Sequence, residues 1–135
     1  MKIDAVVLAA RKNTGKLAGF TPEEHEANID IAGKPMLSYI LDVFEKVPQI
    51  ARAIVVGQLG ALSAYSKGKV VLTEPGDDLI ENVKLGIAQA NTEFVIVSSS
   101  DIPLVTEQIV NDFIKGALDL NADFVYPVAV KEDCV

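Results

Sequence analysis

The sequence contains little cysteine and few cationic residues. Cys134 is the only cysteine, which excludes an internal disulfide and a cysteine-based metal cluster. There are 12 Lys and Arg residues against 19 Asp and Glu residues, and the formal net charge is −7. Surfaces that bind nucleic acid need clustered cations, because they neutralise a phosphate backbone. The sequence therefore predicts no nucleic-acid partner.

Long hydrophobic runs are also missing. No apolar segment approaches the roughly twenty residues that a membrane helix needs, and Met1 to Asp4 enters a strand pattern directly, without a signal peptide. Half of the residues (50%) are nevertheless hydrophobic, which is enough for one domain with one sizeable core. We expect a cytoplasmic protein without a membrane partner. The sequence does not indicate its oligomeric state.

Short β-branched runs alternate with helical patterns along the chain. The runs are apolar at consecutive positions, which is typical of parallel strands buried under helices on both faces. Strands are predicted at 3–9, 53–57, 69–73, 93–98 and 122–130. Helices are predicted at 35–46 and 78–91, from Thr106 onward, and more weakly at 58–66. The predicted fold class is α/β: a doubly wound, mostly parallel sheet of Rossmann-like type.

The first strand runs into a small, polar, cationic loop, residues 11–17. In α/β proteins the turn after the first strand commonly holds phosphate through backbone N–H groups and lysines. Lys12 and Lys16 place positive charge there in an otherwise acidic chain. Taken alone, the loop fits a phosphate-binding turn and an ordinary solvated turn about equally well. The aperiodic segment 11–31 is interpreted as an active-site lid, and His25 within it as an exposed loop residue.

A second feature follows the predicted strand at 93–98. Three serines lead to Asp101, and Pro103 fixes the turn. A single carboxylate together with substrate phosphates is the usual way to hold Mg²⁺. Asp101 also fits a plain turn-forming role. Because parallel strands end at one edge of a sheet, Asp101 is expected beside the cationic loop, which favours the Mg²⁺ interpretation.

These segments together resemble a known family. Val6 to Ala10, the cationic loop, the run Ile-Ala-Gly-Lys-Pro-Met-Leu at 31–37 and Ser100-Asp101-Ile-Pro103 stand in the order seen in MobA-like nucleotidyltransferases. That family is similar to the molybdenum-cofactor guanylyltransferase, the cytidylyltransferases of isoprenoid synthesis and the sugar-phosphate nucleotidyltransferases. Its members are normally longer. The resemblance therefore implies that residues 1–135 are a single α/β nucleotide-binding domain, the N-terminal part of a longer protein.

The resemblance also implies an activity and a site. A nucleoside triphosphate would bind with Mg²⁺, and its nucleotidyl group would pass to a phosphorylated small-molecule acceptor with release of pyrophosphate. Asp101 would bind the metal and Lys16 would be catalytic. The residues implied to contact the nucleotide are Leu8, Ala9, Ala10, Lys12, Asn13, Thr14, Gly15, Gly76 and Asn82.

The sequence departs from the family pattern at two places. Arg11 and Asn13 occupy glycine positions of the loop, and Glu26 or Ala27 stands where a phosphate-binding lysine is expected. These departures leave open a catalytically degenerate nucleotide-binding or regulatory module of the same fold. A third possibility is an unrelated, flavodoxin-like binding domain. With strands numbered along the chain, the order 3-2-1-4-5 favours the nucleotidyltransferases and 2-1-3-4-5 favours the third possibility.

Overall fold

A computed structural model describes residues 1–128, which form a four-stranded parallel sheet with helices on both faces and a separate two-stranded hairpin. The strands are β1 (Ile3–Leu8), β2 (Asp30–Ile31), β3 (Lys34–Pro35), β4 (Ile50–Val56), β5 (Val70–Thr73) and β6 (Val95–Ser99). The α-helices are α1 (Met36–Lys46), α2 (Leu59–Leu62), α3 (Leu79–Ala88) and α4 (Glu107–Asp119). Within residues 1–128, no helix is both long and apolar enough to cross a membrane.

The large sheet has the order β5-β4-β1-β6, and all its pairings are parallel. When only its four strands are counted along the chain, this order reads 3-2-1-4. The α/β fold class is confirmed, and the four strands follow the first four positions of the order 3-2-1-4-5 that favours the nucleotidyltransferases. The flavodoxin-like order 2-1-3-4-5 is wrong for this chain.

The central strand β1 is buried on both faces. Toward one face its side chains meet α1 and α4, whose buried residues include Phe44 and Ile114. Toward the other face, α3 lies so close that a Cβ built on Gly86 would stand 2.3 Å from Cγ1 of Val6. A residue without a side chain is therefore required in the middle of α3, although glycine is a poor helix former.

Side-chain caps begin two of the helices at the predicted places. Oγ1 of Thr106 accepts a 3.2 Å hydrogen bond from the N–H of Ile109, and Oδ1 of Asp78 accepts one of 2.8 Å from the N–H of Glu81. Each cap satisfies a backbone donor that has no partner inside the helix. The weaker helix predicted at 58–66 is also present, as α2 followed by a short 3-10 helix, Ser63–Tyr65.

The glycine of the Gly-Lys-Pro motif has a conformational role in the β2–β3 hairpin. The two residues of the turn, Ala32 and Gly33, both have positive φ, at 53° and 95°. Tight hairpins favour such turns because their twist matches that of the strands. Asp30 Oδ1 accepts a 3.0 Å hydrogen bond from the N–H of Gly33, which closes the turn.

The predicted strand at 122–130 is wrong in the part that the structure describes. The chain leaves α4 through Asn121, which has a φ of 50°, and residues 122–128 are irregular. Phe124 and Tyr126 are 82% and 74% exposed, so the apolar pattern that suggested a strand packs against no sheet. Residues 129–130 of that prediction lie outside the described residues.

A buried carboxylate ties together the amino-terminal edge of the sheet. Asp4, 1% exposed, accepts hydrogen bonds from Nη2 of Arg52 at 2.9 Å and from the N–H of Asn91 at 2.7 Å. Arg52 Nη2 also donates to the carbonyl of Gln89, at 2.6 Å. Burial raises the pKa of Asp4, but the hydrogen bond and charge of Arg52 and the bond from Asn91 outweigh it and hold that pKa below its usual value.

Candidate functional site

The loop after β1 and the turn after β6 leave the sheet side by side. Leu8 pairs with Ser99 in the parallel register of β1 and β6, and neighbouring strands lie about 4.8 Å apart. Asp101 follows two residues beyond Ser99, on the exposed surface, and its Oδ1 accepts a 2.6 Å hydrogen bond from the Ser99 hydroxyl. The structure thus places the cationic loop and the predicted metal ligand at one edge, on adjacent strands.

The end of β4 supports the first residues of this loop. The N–H of Ala9 donates to the carbonyl of Val56 at 2.8 Å. A Cβ built on Gly57 would stand 2.8 Å from the carbonyl oxygen of Ala9 and 2.5 Å from Cδ1 of Leu62. Gly57 therefore allows two backbones to approach closely at the base of the loop.

The predicted loop residues become more exposed along the chain. Leu8 and Ala10 are half-buried and Ala9 is buried, whereas Thr14 and Gly15 are exposed. Lys16 opens an exposed 3-10 helix, Lys16–Gly19. Within residues 1–128 neither Lys12 nor Lys16 forms an ion pair.

A segment of the predicted lid, residues 22–28, packs along the loop and is called the strap below. Asn13 donates twice to it: its N–H to the carbonyl of Glu24 at 2.8 Å, and its Nδ2 to the carbonyl of Glu23 at 3.0 Å. The N–H of Glu26 donates to the carbonyl of Arg11 at 3.1 Å. The side chains of Arg11 and Glu26 form an ion pair of 3.4 Å between Nε and Oε1.

The strap is anchored to the rest of the fold at its carboxyl end. Ala27 is buried in the core. Asn28 donates through Nδ2 to the carbonyl of Ala61 at 3.0 Å, and its Oδ1 accepts the hydroxyl of Tyr65 at 2.7 Å. Burial and the charge of Glu23 raise the pKa of Tyr65, so this hydroxyl stays protonated and keeps its donor role.

The interpretation of His25 as an exposed loop residue is wrong. Its side chain is half-buried, and its Nε2 is shielded from solvent without a hydrogen-bond partner in the described part of the chain. The backbone of His25 forms an isolated antiparallel bridge with that of Lys12. Lys12, His25 and Gln58 are among the residues that line an open pocket of about 640 Å³ between the strap and α2.

Gly76 and Asn82, predicted to lie near the base, contact each other. The N–H of Gly76 donates to Oδ1 of Asn82 at 2.7 Å, which holds the loop after β5 against the first turn of α3. A Cβ on Gly76 would collide with the side chain of Glu81, at 2.5 Å. In the sheet β4 separates β5 from β1, so this loop lies about 10 Å from the β1 loop, two strand spacings away.

The carboxyl edge of the sheet offers few side-chain ligands for a divalent cation. In residues 1–128, no group of three or more His, Cys, Asp or Glu side chains is placed to hold a metal ion. Asp101 alone presents a carboxylate at the end of β6, beside the cationic loop. This set fits Mg²⁺, which is held by one or two carboxylates plus ligand phosphates and keeps several of its waters. It does not fit a metal held by the protein alone.

Sequence reasoning missed the partners of the loop. It noted Arg11 and Glu26 separately, as departures, and did not connect them. Their opposite charges are compatible with a contact, but charge does not select this pair, because Lys12, Lys16, Glu23 and Glu24 lie in the same segment. The strap pairing itself involves backbone groups, and no residue type indicates it.

Comparison with known proteins gives a family and a fold. The family model of the MobA-like NTP transferase domain matches residues 5–134. No curated protein matches the chain.

Several solved structures share the fold. A hypothetical transferase from Thermus thermophilus is 23% identical, with a TM-score of 0.68 over 87% of this chain and 47% of the other. A CMP:2-keto-3-deoxy-manno-octonic acid synthetase complexed with CTP is 21% identical, with a TM-score of 0.68 over 90% and 49%. A 2-C-methyl-D-erythritol 4-phosphate cytidylyltransferase, also from Thermus thermophilus, is 20% identical, with a TM-score of 0.68 over 87% and 50%.

At these identities the structural matches show the fold alone, and the chain spans about half the length of the proteins it matches. The family model, in contrast, covers nearly the whole sequence. It shows, in agreement with the strand order, that the chain belongs to the MobA-like NTP transferase domain family, a family of nucleotidyltransferases.

Proposed function

We propose that the chain binds a nucleoside triphosphate with Mg²⁺ and transfers its nucleotidyl group to a phosphorylated small-molecule acceptor. The carrying observation is the register of β1 and β6, which brings the cationic loop and Asp101 to the same edge. In open α/β sheets, ligands bind at the carboxyl ends of the strands. Lys12 and Lys16, without ion pairs in the described part of the chain, are suited to phosphate oxygens.

The proposed site divides along the sheet edge. The triphosphate would lie along the β1 loop, against Leu8 to Lys16. The base and ribose would extend toward the loop held by Gly76 and Asn82, about 10 Å away across β4. Asp101 and the phosphate oxygens would hold Mg²⁺, which would supply charge neutralisation at the α-phosphate.

The proposed reaction is an in-line substitution at the α-phosphorus. A phosphate oxygen of the acceptor forms the new bond, the bond from the α-phosphorus to the bridging oxygen of the β-phosphate breaks, and pyrophosphate leaves. The protein's part is to position the reactants and stabilise charge, with Lys16 beside the oxygens that become more negative. The acceptor and its binding residues belong to the proposal, because the chain spans only half of the matched proteins.

Calorimetric titration tests the nucleotide site. Each of ATP, CTP, GTP and UTP is titrated with Mg²⁺ into the wild-type chain and into Asp101→Asn. We expect one nucleotide to bind to the wild type. Asp101→Asn should lower the affinity for that nucleotide by about tenfold or more, because a charged contact is lost. Asp112→Asn, which removes an exposed carboxylate from α4, is the matched control and should bind like the wild type. Absence of binding by all four, or equal affinity for the Asp101 variant, would reject the assignment.

A second candidate is a nucleotide-binding module of the same fold without catalysis. It is favoured by the engagement of the loop with the strap, because the backbone N–H and the side-chain Nδ2 of Asn13 both donate to strap carbonyls. Release of pyrophosphate with any member of a panel of sugar phosphates as acceptor would exclude this alternative. Nucleotide binding without any pyrophosphate release across the panel would favour it.

A further inference from the structure

Arg11 is an exposed cation at the proposed ligand edge to which no role has yet been given. It stands three residues beyond the end of β1, and its side chain is 75% exposed. Lys12 follows it directly, in a chain of net charge −7. An arginine that stays this exposed contributes little to packing, so its value to the fold must be small.

The partner of Arg11 is held firmly. Glu26 begins a 3-10 helix whose next residue, Ala27, is buried in the core. The side chain of Glu26 is only 20% exposed, and its backbone N–H is bonded to the carbonyl of Arg11. Glu26 is therefore the less exposed and better anchored member of the ion pair, and the guanidinium of Arg11 is the exposed member.

The geometry of the ion pair leaves most of the guanidinium available. Oε1 of Glu26 lies 3.4 Å from Nε of Arg11. Within residues 1–128, Arg11 takes part in no other ion pair. The Nη groups carry the donors that match the oxygens of a phosphate, often two at a time.

We propose that Arg11 binds phosphate oxygens of the ligand through its Nη groups and that Glu26 is the positioning residue that holds it there by Nε. Arg11 thus supplies a cation to the loop at the place where a glycine was expected, and Glu26 stands at the place of the expected lysine, so the loop keeps a cation although this pair of positions has no net charge. This inference rests on the proposed function for the identity of the ligand. The recognised chemistry is a polyphosphate group.

Inorganic tripolyphosphate is a suitable probe, because it contains the recognised group without a base. It is titrated calorimetrically, at low ionic strength and without divalent cations, into the wild type and into Arg11→Gln. We expect the variant to bind about tenfold more weakly, the effect of losing one charge-assisted contact. Lys46→Gln, at the far end of α1, removes the same charge elsewhere and should change the affinity less than about twofold.

Moving the cation provides the decisive control. In the double variant Arg11→Gln with Glu26→Lys, a lysine replaces the carboxylate that touched Arg11, and we expect affinity to return to within about threefold of wild type. The variant Glu26→Gln no longer holds the guanidinium. Adding Arg11→Gln to it should lower the tripolyphosphate affinity by about threefold or less, instead of the tenfold expected when Arg11→Gln is made in the wild type. The effect of Glu26→Gln alone also includes the removal of a negative charge from the site. Comparing the effect of Arg11→Gln in the two backgrounds cancels that contribution and measures how far the two residues act together.

Each result separates this inference from the proposed function. If Arg11→Gln lowers the melting temperature but leaves tripolyphosphate affinity unchanged, the pair only ties the strap down and the inference is overturned. If tripolyphosphate binding depends on Arg11 but no nucleotide binds with Mg²⁺, the anion site stands and the proposed function fails. If the double variant stays as weak as Arg11→Gln, charge at this place does not determine binding, and the inference is again overturned.

Discussion

The two ends of β1 use charge in opposite ways. At the amino end, Asp4 is 1% exposed and its oxygens accept hydrogen bonds from Arg52 and from the N–H of Asn91. At the carboxyl end, the side chain of Arg11 is 75% exposed and forms an ion pair of 3.4 Å with Glu26. A buried charge must be fully bonded because an unpaired one is costly. An exposed charge carries no such requirement, and its free donors remain available to a ligand.

This contrast assigns the two ends of one strand to different tasks, stability at the amino end and the proposed binding site at the carboxyl end. The amino end fixes β1 to β4 and to the segment that leads from α3 into β6. The parallel register of β1 and β6 brings the loop after β1 beside the turn after β6. The comparison predicts large effects on stability at the amino end and small ones at the carboxyl end.

Breaking the buried pair should have the largest effect. Arg52→Gln leaves the carboxylate of Asp4 buried without its cation, and we expect a loss of about 2–3 kcal/mol in the free energy of unfolding, less than for a fully buried pair because Arg52 is partly exposed. Urea denaturation measures it. Lys34→Gln, which breaks the exposed 2.6 Å pair with Asp42, should cost less than about 1 kcal/mol. Equal losses in the two variants would contradict the contrast.

The middle of β1 should be the next most sensitive place. Gly86→Ala introduces a Cβ against Val6, and overpacking costs about 1–3 kcal/mol, reduced by about 1 kcal/mol of gained helix propensity. Gly116→Ala in α4, where a Cβ meets no atom within 4 Å, should be neutral or stabilising. The two free energies of unfolding, compared by urea denaturation, should differ in this direction. If Gly86→Ala is as stable as Gly116→Ala, the close approach of α3 to β1 is wrong.

The anchor of the strap should contribute less. Tyr65→Phe removes the hydroxyl that Asn28 accepts, and we expect a loss of about 1 kcal/mol, the usual value of one hydrogen bond. Amide hydrogen exchange should show faster exchange at the strap donors, above all the N–H of Glu26, with little change in β1. Uniform acceleration across both would show that the strap is not a separate unit.

The smallest effect is expected from pH, and only under acidic conditions. The pKa of Asp4 is lowered in the folded state, so its stabilising contribution is complete above the unfolded pKa of about 3.9 and is lost as pH falls through the lower folded value. Stability of the wild type should therefore converge on that of Asp4→Asn below about pH 4. The measurement is the difference in unfolding free energy between the two proteins at several pH values. A constant difference down to pH 2 would contradict the lowered pKa.

Most of the fold could be predicted from the sequence because it depends on local patterns. The buried strands β1 and β4 contain continuous apolar runs, residues 5–8 and 53–56, and Thr106 and Asp78 cap their helices by residue type alone. The failure at 122–130 has a physical reason. Apolar residues with β propensity form a strand only against a partner, and residues 122–128 have none in the structure.

The candidate site was predictable in part. The edge position of Asp101 followed from strand polarity, and the register confirmed it beside the loop. The pairing of Lys12 with His25 and of Arg11 with Glu26 was not predictable in the same way, because it joins residues 13 and 15 positions apart within an aperiodic segment. The roles of Lys16, of the nucleotide contacts and of Asp101 stay predictions until a ligand is bound.

The central claim is that the carboxyl edge shared by β1 and β6 binds a nucleotide. Amide chemical-shift mapping tests it most directly: the ¹⁵N-labelled chain is titrated with each of the four nucleoside triphosphates and Mg²⁺. We predict that one of them shifts the amides of residues 9–16, 74–78 and 99–102, while those of Asp4, Asn91 and Thr92 at the opposite edge stay in place. Shifts confined to the opposite edge, or no shifts with any of the four, would contradict the account.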